Sequence, residues 1–429
     1  VKGLSFVTIT NNRDAMLMYA RTLQGLMTDN NNNSAKEEDI RSKILHTPLC
    51  DLLQIRYPII QAGMGGGMTI PELVAAVSNA GALGILGATG ISPEQTRDQI
   101  RRIKTLTNNN KPFGINLLIA PPEPNVSEVQ KVQEVLNKIR GELGIPLREE
   151  RGGGAGEVAL APSYLSDQLD IAFEERVPVI SFGLGDSTRF VNEAHKAGAK
   201  VMAMVTTVDE ARKVAGGGAD VIIAQGSEAG GHRSTFTLDQ NGDAHLVGTM
   251  ALIPQIVDAV RVPVVAAGGI MDGRGIAAAL ALGAQGVSLG TRFLVANESG
   301  AFQAYKQRLL HASEDDTLIT KVFTGRPARS IRNRFISEFD KAGVKPLAWP
   351  LQGIAADDIY RQAVIKNEAD YFPILAGQGL GLLREKQNQE GHHHLTSASS
   401  AADIVGEVVR QTVQIIEETL ARLIQNDHS

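Results

Sequence analysis

The sequence predicts an α/β fold, a (β/α)8 barrel of the TIM type with a small helical cap subdomain inserted after the last barrel strand. Three observations predict it. Apolar runs of strand length alternate with helix-like stretches about eight times from Pro58 onward, the number that a closed barrel needs. The last two runs end in glycine-rich turns, Ala266-Ala267-Gly268-Gly269-Ile270 and Ser288-Leu289-Gly290-Thr291-Arg292. The chain holds 44 glycines and only 4% aromatic residues, which suits tight turns and small-residue packing better than a β-sandwich. A doubly wound sheet has a similar rhythm, but the strand count and the paired late turns favour the barrel.

Residues 1–45 read as an N-terminal extension, with a polar linker near 28–40 around Asn30–Asn33. The barrel follows at 46–297. Its strand-like runs are 58–62, 82–86, 113–119, 177–182, 199–205, 219–225, 262–267 and 285–289. Helix-like stretches lie between them at 71–80, 93–105, 187–197, 207–216 and 273–282, and Gly81, Gly198 and Gly283 stand where C-caps belong. Two stretches break the rhythm. Residues 120–160 hold Pro121-Pro122, an amphipathic helix near 127–141 and a Gly-rich loop at 152–156. Residues 298–375 carry helical pieces at 299–312 and 355–368 and read as a cap over the barrel mouth. Residues 376–429 return to the barrel and end in an amphipathic helix at 401–425. Its apolar stripe either closes the bottom of its own barrel or packs on a partner subunit, which would make a homodimer.

Composition narrows the function. With a formal charge of −5 there is no electrostatic case for nucleic acid. The single cysteine, Cys50, rules out an internal disulfide framework and fits a reducing compartment. No apolar run suits a membrane span and the start lacks the form of a signal peptide, so the expected location is the cytoplasm.

The chemistry is expected at the C-terminal ends of the strands. The backbone N–H groups of the two late turns can hold a phosphate, so a phosphorylated cofactor is expected there. The loop after the sixth strand reads Gln225-Gly226-Ser227-Glu228-Ala229-Gly230-Gly231-His232. Gln225 can hydrogen-bond a planar heterocycle, Gly230 and Gly231 let backbone approach a ligand, and His232 can exchange protons near neutral pH. The end of strand one, Gln61-Ala62-Gly63-Met64-Gly65-Gly66-Gly67, has neither Rossmann spacing nor a P-loop lysine; it offers backbone and the soft Met64 to a ring system. Asn116 sits inside an apolar run, where its amide needs a partner. Phe182-Gly183-Leu184-Gly185 is either a floor for substrate or a plain turn. His392–His394 has no acidic or cysteine partner at ligand spacing and reads as a solvated loop, so no metal is expected.

Over about residues 50–385 these segments resemble the nitronate monooxygenases, formerly called 2-nitropropane dioxygenases, which are FMN enzymes on a TIM barrel. The resemblance rests on Gln61-Ala-Gly-Met64, Asn116, Gln225 through His232, Ala266-Ala-Gly-Gly-Ile270, Leu289-Gly-Thr-Arg-Phe293, Thr324-Gly-Arg-Pro-Ala-Arg329 and Ala376-Gly-Gln-Gly379. It implies that Gly268, Gly269, Ser288, Leu289, Gly290 and Thr291 hold the FMN phosphate. It implies that Ala62, Gly63, Met64, Asn116, Gln225 and Gly230 contact the flavin rings and ribityl chain, and that His232 is the catalytic base. The same barrel and histidine element occur in flavin-dependent enoyl-acyl-carrier-protein reductases, and a related group holds NADH:quinone reductases. The extension at 1–45 and the insertion near 145–160 depart from the family pattern.

The implied reaction is oxidation of a nitronate or nitroalkane by O2 to a carbonyl compound and nitrite. A nitroalkane is a carbon acid, and loss of its proton to His232 leaves an electron-rich nitronate beside the flavin. The nitro oxygens call for a positive contact, with Lys366 or Tyr371 as candidates. The alternatives are an NAD(P)H-dependent enoyl or quinone reductase on the same barrel, and a flavin-binding protein without catalysis. A retained His232 argues against the last, because binding flavin needs no base.

Overall fold

The computed structural model describes residues 34–119, 129–148, 164–383 and 399–425. The glycine-rich loop at 152–156 and His392–His394 lie outside the described residues. In chain order the strands are β1 (Ile59–Gln61), β2 (Leu83–Gly87), β3 (Phe113–Leu118), β4 (Val179–Gly183), β5 (Lys200–Val205), β6 (Val221–Gln225), β7 (Gly231–His232), β8 (Val264–Ala267), β9 (Gly286–Leu289), β10 (Thr317–Thr320) and β11 (Ala328–Ile331). Eight of them close a parallel barrel in the order β1-β2-β3-β4-β5-β6-β8-β9. Each barrel strand overlaps one of the eight predicted runs. The runs are legible because a parallel barrel buries both faces of its strands, so apolar residues need not alternate.

Inside the barrel, Ile60, Leu83, Ile85, Val179, Met202, Val221, Ile223 and Val265 pack together. The same cluster takes in Leu49, Cys50 and Leu53 from helix Pro48–Leu53, which plugs the N-terminal end. Thr47 Oγ1 ties that helix to the Gln285 carbonyl at 2.7 Å, just before β9. Burial raises the Cys50 pKa and leaves it a packed thiol. The outer helices are started and stopped by local chemistry. Ser92 with Gln95, and Thr207 with Glu210, form capping boxes. Gly81, Gly198 and Gly283 take the left-handed conformations expected of glycine just past a helix.

Helix Ala401–Gln425 does not close the barrel bottom, which Pro48–Leu53 already fills. It packs along Gly273–Ala281 and Pro71–Asn79, the helices that follow the seventh and first barrel strands. This is where the eighth barrel helix belongs. Ile404, Val405, Val408, Val409, Val413 and Ile416 are buried there, so this part of the stripe is covered within the chain; the side chains of Leu420 and Leu423 lie outside the described residues. The chain thus leaves the barrel after β9, builds the cap, and returns to complete the last β-α unit.

The cap draws on both excursions. Helix Val129–Leu143 places Val132, Leu136 and Ile139 in one core with Phe323, Phe335, Phe339 and Ile359. Arg140, fully buried, seals this joint through Asp358 (Nε to Oδ2, 2.9 Å) and the Ala355 carbonyl (2.8 Å). Such a buried charge is tolerable only because it is paired on several sides. The cap also contains a feature that the helical expectation omitted: β10 and β11 pair antiparallel, and β11 pairs with β7. Among the described residues no helix is long and apolar enough to cross a membrane.

Candidate active site

The C-terminal ends of the barrel strands form one face, and two late turns shape one side of it. Gly268 and Gly269 have φ of 122° and 70°, backbone that strongly favours glycine. A Cβ on Gly268 would come within 2.9 Å of Thr249 Oγ1, and one on Gly269 within 3.2 Å of Glu228 Cβ. Among the described residues, the amides of Gly269, Gly290 and Thr291 find no backbone acceptor. Across the barrel closure, the Ala62 amide donates to the Leu289 carbonyl at 3.0 Å. A Cβ on Gly290 would lie 3.6 Å from Met64 Sδ and 3.8 Å from Ala62 Cβ. Ala62, Met64 and Gly290 therefore sit together. Ser288 and Leu289 lie within β9, and the Leu289 side chain is buried in the layer between strands and helices.

The strand-one segment also touches the centre of the face. Gly63 lies so close to Asn116 that a Cβ there would stand 2.5 Å from Asn116 Cβ. The Asn116 amide nitrogen donates to Ser181 Oγ at 3.2 Å on the neighbouring strand. The Gln225 amide is engaged at both ends: it donates to the His232 carbonyl and accepts from the Ser234 amide, each at 2.9 Å. Its role in the fold is to hold the histidine loop. Gly230 lies against Ala376 and Gly377, and the Gly377 amide donates to Thr291 Oγ1 at 3.0 Å. The Ala376–Gly379 segment thus bridges the histidine loop to the turn after β9. At the end of β4, Leu184 is left-handed (φ 64°) and donates its amide to Ser234 Oγ at 2.9 Å.

His232 is fixed by its surroundings. Its backbone pairs with Ala328 across β7 and β11. Its Nε2 lies 2.9 Å from Thr324 Oγ1. The Trp349 ring meets it edge-on, with centroids 5.3 Å apart and planes at 78°. Desolvation by this packing, and then the positive charge of Arg326, push its pKa down to about 4. The residue as a whole is half-buried, and with that pKa its imidazole is neutral at pH 7. Behind it, the fully buried Arg233 clamps the loop through the Gln225 carbonyl at 3.0 Å and the Gly226 carbonyl. Glu228 turns away to receive the Thr249 amide at 2.9 Å, at the start of helix Thr249–Ala259.

Lys366 and Tyr371 serve another purpose than the one expected. Lys366 Nζ donates to the Leu143 carbonyl and Tyr371 to Glu142 Oε2 (2.7 Å), so both fasten the two excursions to each other. The cation beside His232 is Arg326. Sequence reasoning missed Thr324, Arg326 and Trp349 as site residues. The available signals were the Thr324–Arg329 segment and the fact that Trp349 is the single tryptophan of the chain.

A family model described as Nitronate monooxygenase matches residues 46–396. The chain belongs to the nitronate monooxygenase family. As a member of that family it is an oxidoreductase. It is 39% identical over 342 residues to a protein of Staphylococcus saprophyticus named probable nitronate monooxygenase, an alignment covering 79% of this chain and 94% of that protein. The structure resembles nitroalkane oxidase from Streptomyces ansochromogenes, with 33% identity and a TM-score of 0.72, covering 86% of this chain and 99% of that one. It also resembles FabK from Thermotoga maritima, with 29% identity and a TM-score of 0.66 over 88% and 99% of the two chains. Within the nitronate monooxygenase family, then, this chain joins backbone turns on one side of the barrel face to a neutral, desolvated histidine on the other.

Proposed function

We propose that this enzyme binds FMN and oxidises nitronates, and more slowly the nitroalkanes from which they form, with O2 as the oxidant and a carbonyl compound and nitrite as products. The observation that carries this reading is His232: a neutral imidazole held beside the positive Arg326, on the same barrel face as the glycine turns. The donor set fits FMN. The amides of Gly269, Gly290 and Thr291, on a turn that Gly268 shapes, suit a phosphate, while Ala62, Gly63, Met64 and Asn116 lie together beside that turn and would meet a ring system. When bound, FMN supplies the electron acceptor for the nitronate.

The rest of the chemistry belongs to the chain. His232 accepts the α-proton of a neutral nitroalkane, and the electron pair left by that C–H bond moves onto the nitro group. Arg326 disfavours an imidazolium but favours the anion formed next to it. A base with a pKa near 4 is unprotonated at neutral pH yet holds a proton weakly, so a substrate that arrives already ionised has the lower barrier. Trp349 excludes water from one side of the ring, which strengthens the local electrostatics. The likeness to FabK keeps a pyridine-nucleotide-dependent reductase as the second reading. Anaerobic mixing of the FMN-loaded enzyme with one donor at a time separates them. Rapid bleaching of the visible flavin band by ethyl nitronate, slower bleaching by nitroethane and little by NADH or NADPH are expected. Bleaching by NADH or NADPH alone would establish the reductase instead.

A further inference from the structure

We propose that Thr324 holds His232 as the Nε2–H tautomer, so that Nδ1 is the atom that receives the substrate proton. This rests on the reading of His232 as the proton acceptor and adds which nitrogen acts and what selects it. The Thr324 hydroxyl donates to the Arg326 carbonyl and accepts from the Arg326 amide, both at 3.4 Å. A hydroxyl has one proton, and with that proton on the Arg326 carbonyl its remaining lone pair faces His232 Nε2 at 2.9 Å. In that arrangement Nε2 carries hydrogen and donates. Among the described residues, Nδ1 makes no hydrogen bond, which leaves its lone pair for the substrate.

The turn that presents Thr324 is built for this orientation. Gly325 is left-handed (φ 90°), and a Cβ there would collide with the Leu347 carbonyl and the Trp349 amide. Its amide donates to the Lys321 carbonyl at 2.8 Å. Thr324 and Trp349 therefore reach the same imidazole from two strands of chain pressed together at a glycine. In the proposed step the substrate C–H bond breaks, its proton moves to Nδ1, and its electron pair stays with the nitronate. The imidazolium keeps its Nε2–H on Thr324, so the positioning contact is retained in both protonation states, as an orienting acceptor behind a catalytic histidine must. The proton leaves to solvent before the next turnover.

The test is the 15N spectrum of the FMN-loaded, histidine-labelled enzyme at neutral pH, with the His232 signals assigned by their loss in His232→Ala. The expected spectrum has protonated Nε2 and bare Nδ1. Thr324→Val should yield a tautomer mixture and lose at least about tenfold in kcat on nitroethane, below the roughly 10²–10⁴-fold of a whole general base. The loss on ethyl nitronate should be far smaller, and Thr324→Ser should restore both the spectrum and the nitroethane rate. A wild-type spectrum with Nδ1–H would overturn the assignment, and it needs no variant that folds. Equal losses of His232→Ala on the two substrates, with the Nε2–H spectrum intact, would instead overturn the base reading and leave Thr324 controlling only the tautomer.

Discussion

The candidate active site has two sides built by different means. On the turn side, Gly268 and Gly269 act through backbone shape and need the absence of side chains, while Gly290 and Thr291 offer backbone amides. On the histidine side, Thr324, Arg326 and Trp349 act through a hydrogen bond, a charge and a ring contact. The turn side comes from two neighbouring β-α units. The histidine side brings Thr324 to His232 across 92 residues of sequence. The two sides should therefore fail separately: the first by losing the cofactor, the second by losing proton transfer.

The strongest perturbation should fall on the turn side from behind. Helix Ala401–Gln425 braces it twice, through Glu407 to the buried Arg292 at 3.0 Å and through Gln411 Oε1 to the Gly273 amide at 3.0 Å. Glu407→Ala leaves Arg292 buried without its carboxylate, and breaking such a pair costs about 3–5 kcal/mol. Chemical denaturation should show a loss of that order together with weaker FMN retention. Excess FMN should return the ratio of nitroethane to nitronate activity to the wild-type value. A shifted ratio at saturating FMN would mean that the two sides are coupled.

Gly269→Val should be milder and more local. Forcing a β-branched residue to φ 70° costs on the order of 1–3 kcal/mol, and its Cβ would press on Glu228 Cβ beside the proposed phosphate turn. The purified variant should be pale and should need added FMN, while the Trp349 and His232 environment stays as it is. Trp349, as the single tryptophan, reports this directly. Its emission should be quenched on FMN binding in the wild type and unchanged in shape in the variant without FMN.

The pH-dependent effect belongs to the histidine side. Because the folded pKa of His232 lies near 4, below the ordinary 6.5, the unfolded chain binds the proton first. The stability tied to this group is therefore complete above about pH 6.5 and is lost as pH falls toward 4. His232→Asn should flatten that part of the stability curve relative to wild type, measured by denaturant midpoint from pH 7 to 4. A parallel pair of curves would show that the ring is not desolvated.

The two sides also differ in how far they could be read from sequence. The barrel strands stand out because burial on both faces makes them continuously apolar, and glycine marks the turns because the backbone there excludes a Cβ. The stripe on Ala401–Gln425 is equally plain. A stripe says that a face is buried but not against what, and helices Gly273–Ala281 and Pro71–Asn79 meet it only after the cap has been traversed. β7, β10 and β11 are two to four residues long and carry polar residues, so no period marks them. Thr324 is visible in sequence only as the start of the Thr324–Arg329 segment, which carries the resemblance and not the residue's role: a threonine before glycine reads as a turn until Lys321, Leu347 and Trp349 surround it.

In the proposed mechanism His232 takes a proton from a neutral substrate that Arg326 then stabilises as an anion. The most direct test is steady-state turnover of FMN-saturated His232→Ala on nitroethane and on preformed ethyl nitronate, compared with wild type. A loss of roughly 10²–10⁴-fold is expected on nitroethane, the usual worth of a general base, with a much smaller loss on the nitronate, whose proton is already gone. Equal losses on both substrates would contradict it and leave His232 as a residue that only shapes the pocket.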